Sequence, residues 1–175
     1  DELPAWKTVR TNKRGQPLPP KREDQGEGHR YRLRFTKLGA TALTSQLDLT
    51  RSLPRVIRRS GVTLKYSEGF SPKPVLTYGP ALPLGIPSLC EVADITSLEP
   101  LDTDALIEQL NAVTDPGLRI TDAASIPKEA RSCARSAKLA EYVLACPGTW
   151  DGPTLEAAAA RALSLIHISE PPSRP

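Results

Sequence analysis

The chain has 175 residues, a net charge of +3 and a hydrophobic fraction of 39%, which suits one domain of ordinary size with tails, or two very small ones. No apolar run approaches the roughly 18–20 residues that cross a bilayer and no cationic-then-apolar leader opens the sequence, so the expected compartment is the cytoplasm and no membrane partner is expected. Cys90, Cys133 and Cys146 stand far apart without a Cys-x-x-Cys pair, which argues against zinc and iron–sulfur sites built on clustered thiolates, and only His29 and His167 are available for a His-based site.

Residues 1–29 read as a disordered linker: Pro17, Pro19 and Pro20 are flanked by Lys13, Arg14, Lys21 and Arg22, and only Trp6 interrupts the polarity. Tyr31–Phe35 alternates as a strand, with Tyr31, Leu33 and Phe35 on one face and Arg32 and Arg34 on the other. A turn at Lys37–Gly39 leads to a helix over 45–60, opened by Ser45 and Asp48 in capping-box spacing. Its apolar contacts are Leu49, Leu53, Val56 and Ile57, while Arg51, Arg55, Arg58 and Arg59 share another face. Pro54 inside it predicts a kink or a restart. Strands follow at 62–66, 74–78 and 91–97, a helix at 101–112 capped by Asp102 or Thr103, and a strand at 118–123. This succession predicts an α/β (α+β) domain built on a ferredoxin-like βαββαβ unit closing near residue 127. Residues 128–137 have no clear period. A strand at 142–146 and a helix at 154–163 then read as the start of a second, incomplete unit. From Ser164 the composition breaks abruptly and resembles translated read-through. The domain is therefore expected over 30–163, truncated at its C-terminus.

Charge is distributed unevenly. From Arg30 to Tyr78 ten Lys and Arg stand against two acids, Asp48 and Glu68, a local excess that draws polyphosphate partners. Overlapping the end of that stretch, Tyr66 to Gly85 carries four prolines and three glycines among aromatic and apolar residues, the composition of a shaped loop rather than of a solvated linker.

Five motifs occur in order: Arg32-Leu33-Arg34-Phe35, Ser45-Gln46-Leu47-Asp48-Leu49, Arg58-Arg59-Ser60-Gly61, Tyr66-Ser67-Glu68-Gly69-Phe70-Ser71-Pro72, and Gly79-Pro80-Ala81-Leu82-Pro83-Leu84-Gly85. In these the chain resembles the radical-SAM-associated domain of unknown function, found fused to the C-terminus of cobalamin-binding radical-SAM proteins or as their separate partner. The resemblance covers about residues 30–125 and extends toward 163. It departs at Gln46, where the family usually has His, and at Thr41, Ala42 and Leu43, where an Arg and an aromatic are usual. Gln46 keeps hydrogen bonding but does not titrate near neutral pH. No CxxxCxxC motif is present, so the resemblance implies that the iron–sulfur cluster, S-adenosylmethionine and cobalamin belong to a partner domain. The family's association with genes for ribonuclease and ribosomal proteins implies RNA modification.

The expected RNA-binding residues are Arg32, Arg34, Lys37, Arg51, Arg55, Arg58, Arg59 and Lys65, contacting phosphates. Ser45, Gln46, Asp48, Tyr66, Ser67, Gly69, Phe70, Pro72 and Tyr78 form the motif-loop set, whose aromatics would stack on unpaired bases or pack in the core. Ser67 has no His base for a nucleophilic role, and Asp48 reads as a cap or an ion-pair partner of Arg51 before a general base. The expectation is an accessory domain holding RNA for a radical-SAM partner. The alternative is a protein-interaction module that docks that partner or a ribonuclease.

Overall fold

The computed structural model describes residues 12–15, 25–68, 71–143, 148 and 151–165. The chain divides into two compact units, Asp1–Lys138 and Leu139–Pro175. In the first, strand β1 (His29–Lys37) leads through a 3-10 helix (Gly39–Leu43) to helix α1 (Gln46–Arg59). Strands β2 (Leu76–Tyr78) and β3 (Ser88–Ser97), helix α2 (Thr103–Asn111), strand β4 (Ile120–Ile126) and the short helix α3 (Cys133–Ser136) follow.

The four strands form one sheet in the order β2-β3-β1-β4. Every neighbouring pair is antiparallel, with Leu33 opposite both Ala93 and Ala123. Two βαβ halves are thereby interleaved, each half's parallel strands being separated by one strand of the other: the order expected for the ferredoxin-like unit. The period-two alternation of β1 buries Tyr31, Leu33 and Phe35 against Leu49, Leu53, Val56 and Ile57 of α1 and Leu106 and Leu110 of α2. The Tyr31 hydroxyl accepts a 2.7 Å hydrogen bond from Leu101 N–H, fixing the entry to α2. Asp102 caps that helix by accepting from Ala105 N–H at 2.9 Å.

Of the two outcomes expected at Pro54, a kink or a restart, the restart does not occur: α1 is one helix through Pro54, with buried Leu53, Val56 and Ile57 holding it to the core on both sides of the lost backbone bond. Two other expectations are corrected. Residues 62–66 do not form a ladder strand. Lys65 N–H donates to Thr96 C=O while Val75 N–H donates to Lys65 C=O, so the segment divides its partners between the end of β3 and the following hairpin, leaving only isolated bridges. Residues 128–137, read without a period, contain α3, whose buried Cys133 packs beside β2 and β3.

In the second unit the described residues form one element, α4 (Gly152–Leu165), against the helix expected at 154–163. Asp151 accepts from Thr154 N–H at 2.8 Å at its start. Tyr142 and Val143 lie in no regular element, and 144–147, the rest of the expected strand, lie outside the described residues.

Candidate functional site: the arginine ridge of helix α1

Helix α1 begins at a reciprocal capping box. Asp48 N–H donates to Ser45 Oγ at 3.2 Å, and the Asp48 carboxylate accepts from Ser45 N–H at 3.0 Å and from Ser45 Oγ at 2.6 Å. These Ser45 bonds, with a smaller contribution from Arg51, hold the Asp48 carboxyl below its usual range. Gln46 is the first residue of the helix and half-buried. Because Leu49, Leu53, Val56 and Ile57 fill the inward stripe, Arg51, Arg55, Arg58 and Arg59 are left exposed. Arg51, Arg55 and Arg59 lie along one i±4 ridge, about 6 Å apart per step. They border a shallow groove of about 500 Å³, with Asp48 and, from the α2–β4 turn, Asp115 also on its walls. Among the described residues none of the four arginines pairs with a carboxylate. Arg59 Nη2 donates to Val113 C=O at 3.4 Å. The ridge is a row of exposed planar cations without an ion-pair partner among the described residues, suited to a row of phosphates or carboxylates.

The strand arginines are placed otherwise. Since Tyr31, Leu33 and Phe35 face α1, Arg32 and Arg34 point to the opposite side of the sheet, and the strand and helix arginines do not form the single surface that the sequence predicts. Arg32 is already engaged: Nε and Nη2 donate to the two oxygens of buried Asp94 at 2.7 and 3.1 Å, and Nη2 donates to Arg131 C=O at 2.8 Å. The hydrogen bonds to Asp94 hold the Arg32 guanidinium pKa above its usual value. Arg30, omitted from the predicted set, donates through Nη1 to the carbonyls of Pro127, Lys128 and Ala130 and through Nη2 to Asp94. Asp94 also accepts from Cys133 N–H at 2.8 Å. Together these bonds strap residues 127–133 across the sheet.

Of the remaining predicted cations, Arg34 is exposed, 3.8 Å from Asp122. Lys37 is buried on the core side of β1, continuing the Tyr31–Phe35 alternation, and presents no surface charge. Lys65 Nζ donates to Gly26 C=O at 2.5 Å.

The motif loop closes as a hairpin. Ser67 N–H donates to Lys73 C=O at 2.8 Å, and Ser67 Oγ accepts from Lys73 N–H at 3.0 Å. The Ser67 hydroxyl thus serves loop geometry. Gly69 and Phe70 lie outside the described residues, and Pro72 is half-buried. Tyr66 and Tyr78 pack against the core cluster, the second of the two roles open to them from sequence. Tyr66 N–H donates to the Gln25 side chain at 2.9 Å. The Tyr78 hydroxyl is buried with no partner among the described residues, and burial pushes its pKa up to about 12.

Residues 30–169 match the family described as "Uncharacterized protein conserved in bacteria (DUF2344)". The chain belongs to that family. The match spans the whole sheet, both core helices and α3, and ends within the segment that composition alone set aside from residue 164. No curated protein and no solved structure matches the chain. Among the described residues no helix is long and apolar enough to cross a membrane, and no cluster of His, Cys, Asp or Glu is arranged to hold a metal ion.

The network around Asp94 was the principal miss. The sequence offers only a weak signal for it: a carboxylate flanked by Ala93 and Ile95 in β3, in a chain whose first strand carries Arg30 and Arg32 on its polar face.

Proposed function

We propose that this DUF2344 member is a non-catalytic accessory domain of a radical-SAM system and holds an RNA substrate on the arginine ridge of α1. The observation that carries the reading is the set of four exposed arginines on one helix without a carboxylate partner among the described residues. Guanidinium groups at the one-turn spacing of Arg51, Arg55 and Arg59 suit a polyphosphate backbone, giving affinity and register rather than base choice. A cobalamin-dependent radical-SAM domain, in the same natural chain or a separate one, supplies the cluster, S-adenosylmethionine and the chemistry, and the compartment is the cytoplasm. No residue of this chain is assigned a catalytic role: Ser67 is committed to its hairpin and Asp48 to its cap.

The test is binding of a labelled small-RNA pool to the full chain across a salt series, beside a variant with Arg51, Arg55, Arg58 and Arg59 changed to Ala. Binding that weakens with salt and is lost in the folded variant supports the reading. A folded wild-type chain that binds no RNA overturns it.

A further inference from the structure

The groove beside the arginine ridge holds a charge of the wrong sign for a site that only collects phosphates. Arg51, Arg55 and Arg59 border it from α1, and Asp115 borders it from the turn between α2 and β4. Asp48, the other acid there, is committed to the helix cap by its bonds with Ser45. Asp115 has no such commitment. It is exposed, and among the described residues its carboxylate enters no ion pair or hydrogen bond. Its backbone C=O, not its side chain, holds the turn, by accepting from Leu118 N–H at 2.9 Å. The cations of the groove do not close on it either. Arg59 reaches the same turn, but its Nη2 donates to Val113 C=O, two residues before Asp115. One turn therefore brings together a guanidinium with donors to spare and an unused acceptor.

We propose that Asp115 accepts a hydrogen bond from a ribose 2′-hydroxyl in this groove and so makes the ridge selective for RNA over DNA. The inference deepens the reading of α1 as an RNA holder and rests on it. A carboxylate beside phosphate-binding arginines opposes a polyanion, and a phosphodiester has no donor to offer it. A ribose has one. Its 2′-hydroxyl is vicinal to its 3′-phosphate, so a phosphate met by Arg59 carries the hydroxyl toward the Asp115 turn. The 2′-hydroxyl is also the group by which a protein tells RNA from DNA at a given site, and its bond to a carboxylate is charge-assisted. A deoxyribose strand brings the same phosphates without the donor, so Asp115 repels it and gains nothing in return. The arginines supply affinity for either strand, and Asp115 determines the choice between them. The other donor that a nucleic acid offers a carboxylate is a base amino group. That donor is equally present in DNA, so comparing sugars separates the two.

The experiment uses the full chain and labelled single strands of about 12 nucleotides, of one sequence containing only adenine and cytosine, as RNA, DNA and 2′-O-methyl RNA. Binding is read by fluorescence anisotropy at one salt concentration. Wild type is expected to bind RNA at least about fivefold more tightly than DNA. The 2′-O-methyl strand, which has lost the donor, should behave as DNA does. Asp115→Ala should bring the RNA-to-DNA ratio to within about twofold of unity, while Asp115→Asn, which keeps an acceptor, should retain part of the preference. Both variants should melt with wild type, because the turn is held by the backbone of residue 115. Arg55→Ala should weaken RNA and DNA alike and leave the ratio unchanged. Equal binding of RNA and DNA by wild type, or a preference that survives Asp115→Ala, overturns this inference and leaves the RNA reading standing. A folded wild-type chain that binds neither strand overturns the RNA reading and this inference together.

Discussion

Replacing Asp94 with Ala tests whether the arginines of β1 serve the fold or a ligand. The carboxylate is 4% exposed and accepts from Arg32 twice, from Arg30 and from Cys133 N–H. Removing one partner of a buried ion pair costs about 3–5 kcal/mol, because the other charge remains desolvated. Arg30 and Arg32 are each about a fifth exposed and keep backbone acceptors on the strap, which lowers the expected loss to about 2–4 kcal/mol. For a unit of this size that corresponds to a fall of about 10–20 °C in melting midpoint. Urea and thermal unfolding followed by circular dichroism measure it. Arg51→Ala, in the same assay, should stay within about 0.5 kcal/mol of wild type. The Arg32→Ala/Asp94→Ala double variant should fall short of the summed single losses by at least about 1 kcal/mol. A loss below about 1 kcal/mol in Asp94→Ala would refute the argument and return Arg32 to the pool of free cations.

Two further perturbations follow from the titrating groups. Tyr78→Phe removes a buried hydroxyl that has no partner among the described residues, so stability at neutral pH should hold or rise by about 1 kcal/mol. The folded-state pKa of about 12 lies above the ordinary 10.0, so the contribution of the protonated phenol is complete below pH 10 and lost as pH rises toward 12. Tyr78→Phe should therefore flatten the alkaline fall in the urea midpoint, and a wild-type tyrosinate titration in which no tyrosine ionises late would contradict the burial. At Asp48 the sign is opposite. Its folded pKa lies below 3.8, so the cap's contribution is complete above the unfolded value and disappears as pH falls through the folded one. Asp48→Ala should lower the urea midpoint at neutral pH, and its gap from wild type should close on acidification, whereas a variant whose midpoint matches wild type at pH 7 would show the cap to be idle.

What the sequence revealed and what it concealed divide along a physical line. Local rules sufficed for α1, where Ser45 and Asp48 announce the capping box and four apolar positions announce the buried stripe, and for β1, whose alternation assigns the core face. Information failed where partners are distant in the chain. Arg32 and Asp94 are 62 residues apart, and no periodicity in either strand states that they will be neighbours. Counting acids near the arginines in sequence therefore overstated the free charge. Lys37 failed because the sequence reading ends the strand at Phe35 and puts Lys37 in the following turn, whereas β1 runs on to Lys37 and its alternation buries that residue. The contact between the 80–87 loop and the 3-10 helix was likewise not legible, because it rests on a hydrogen bond from Gly85 N–H to Ala42 C=O between segments unrelated in sequence.

Once charges are placed in space, the ten cations between Arg30 and Tyr78 shrink to a smaller effective set. Arg30 and Arg32 are held by Asp94 and by strap carbonyls, Lys37 is buried, Lys65 is bonded to Gly26, Arg34 stands beside Asp122 on the far side of the sheet, and Lys73 is exposed on the Ser67–Lys73 hairpin, away from α1 in the sequence. The cations free to meet a polyanion on the α1 side are then chiefly Arg51, Arg55, Arg58 and Arg59. For a single-stranded nucleic acid each neutralised phosphate contributes about 0.7 to the slope of log affinity against log salt. Four arginines predict a slope of about −3, whereas all ten cations acting together would give about −7. The two values are readily separated over a fourfold salt range. A slope near the larger value would mean that the strap has opened and that β1 has joined the binding surface, and in that event Asp94→Ala should change RNA affinity as well as stability. A slope near the smaller value, unmoved by Asp94→Ala, would confine recognition to the helix.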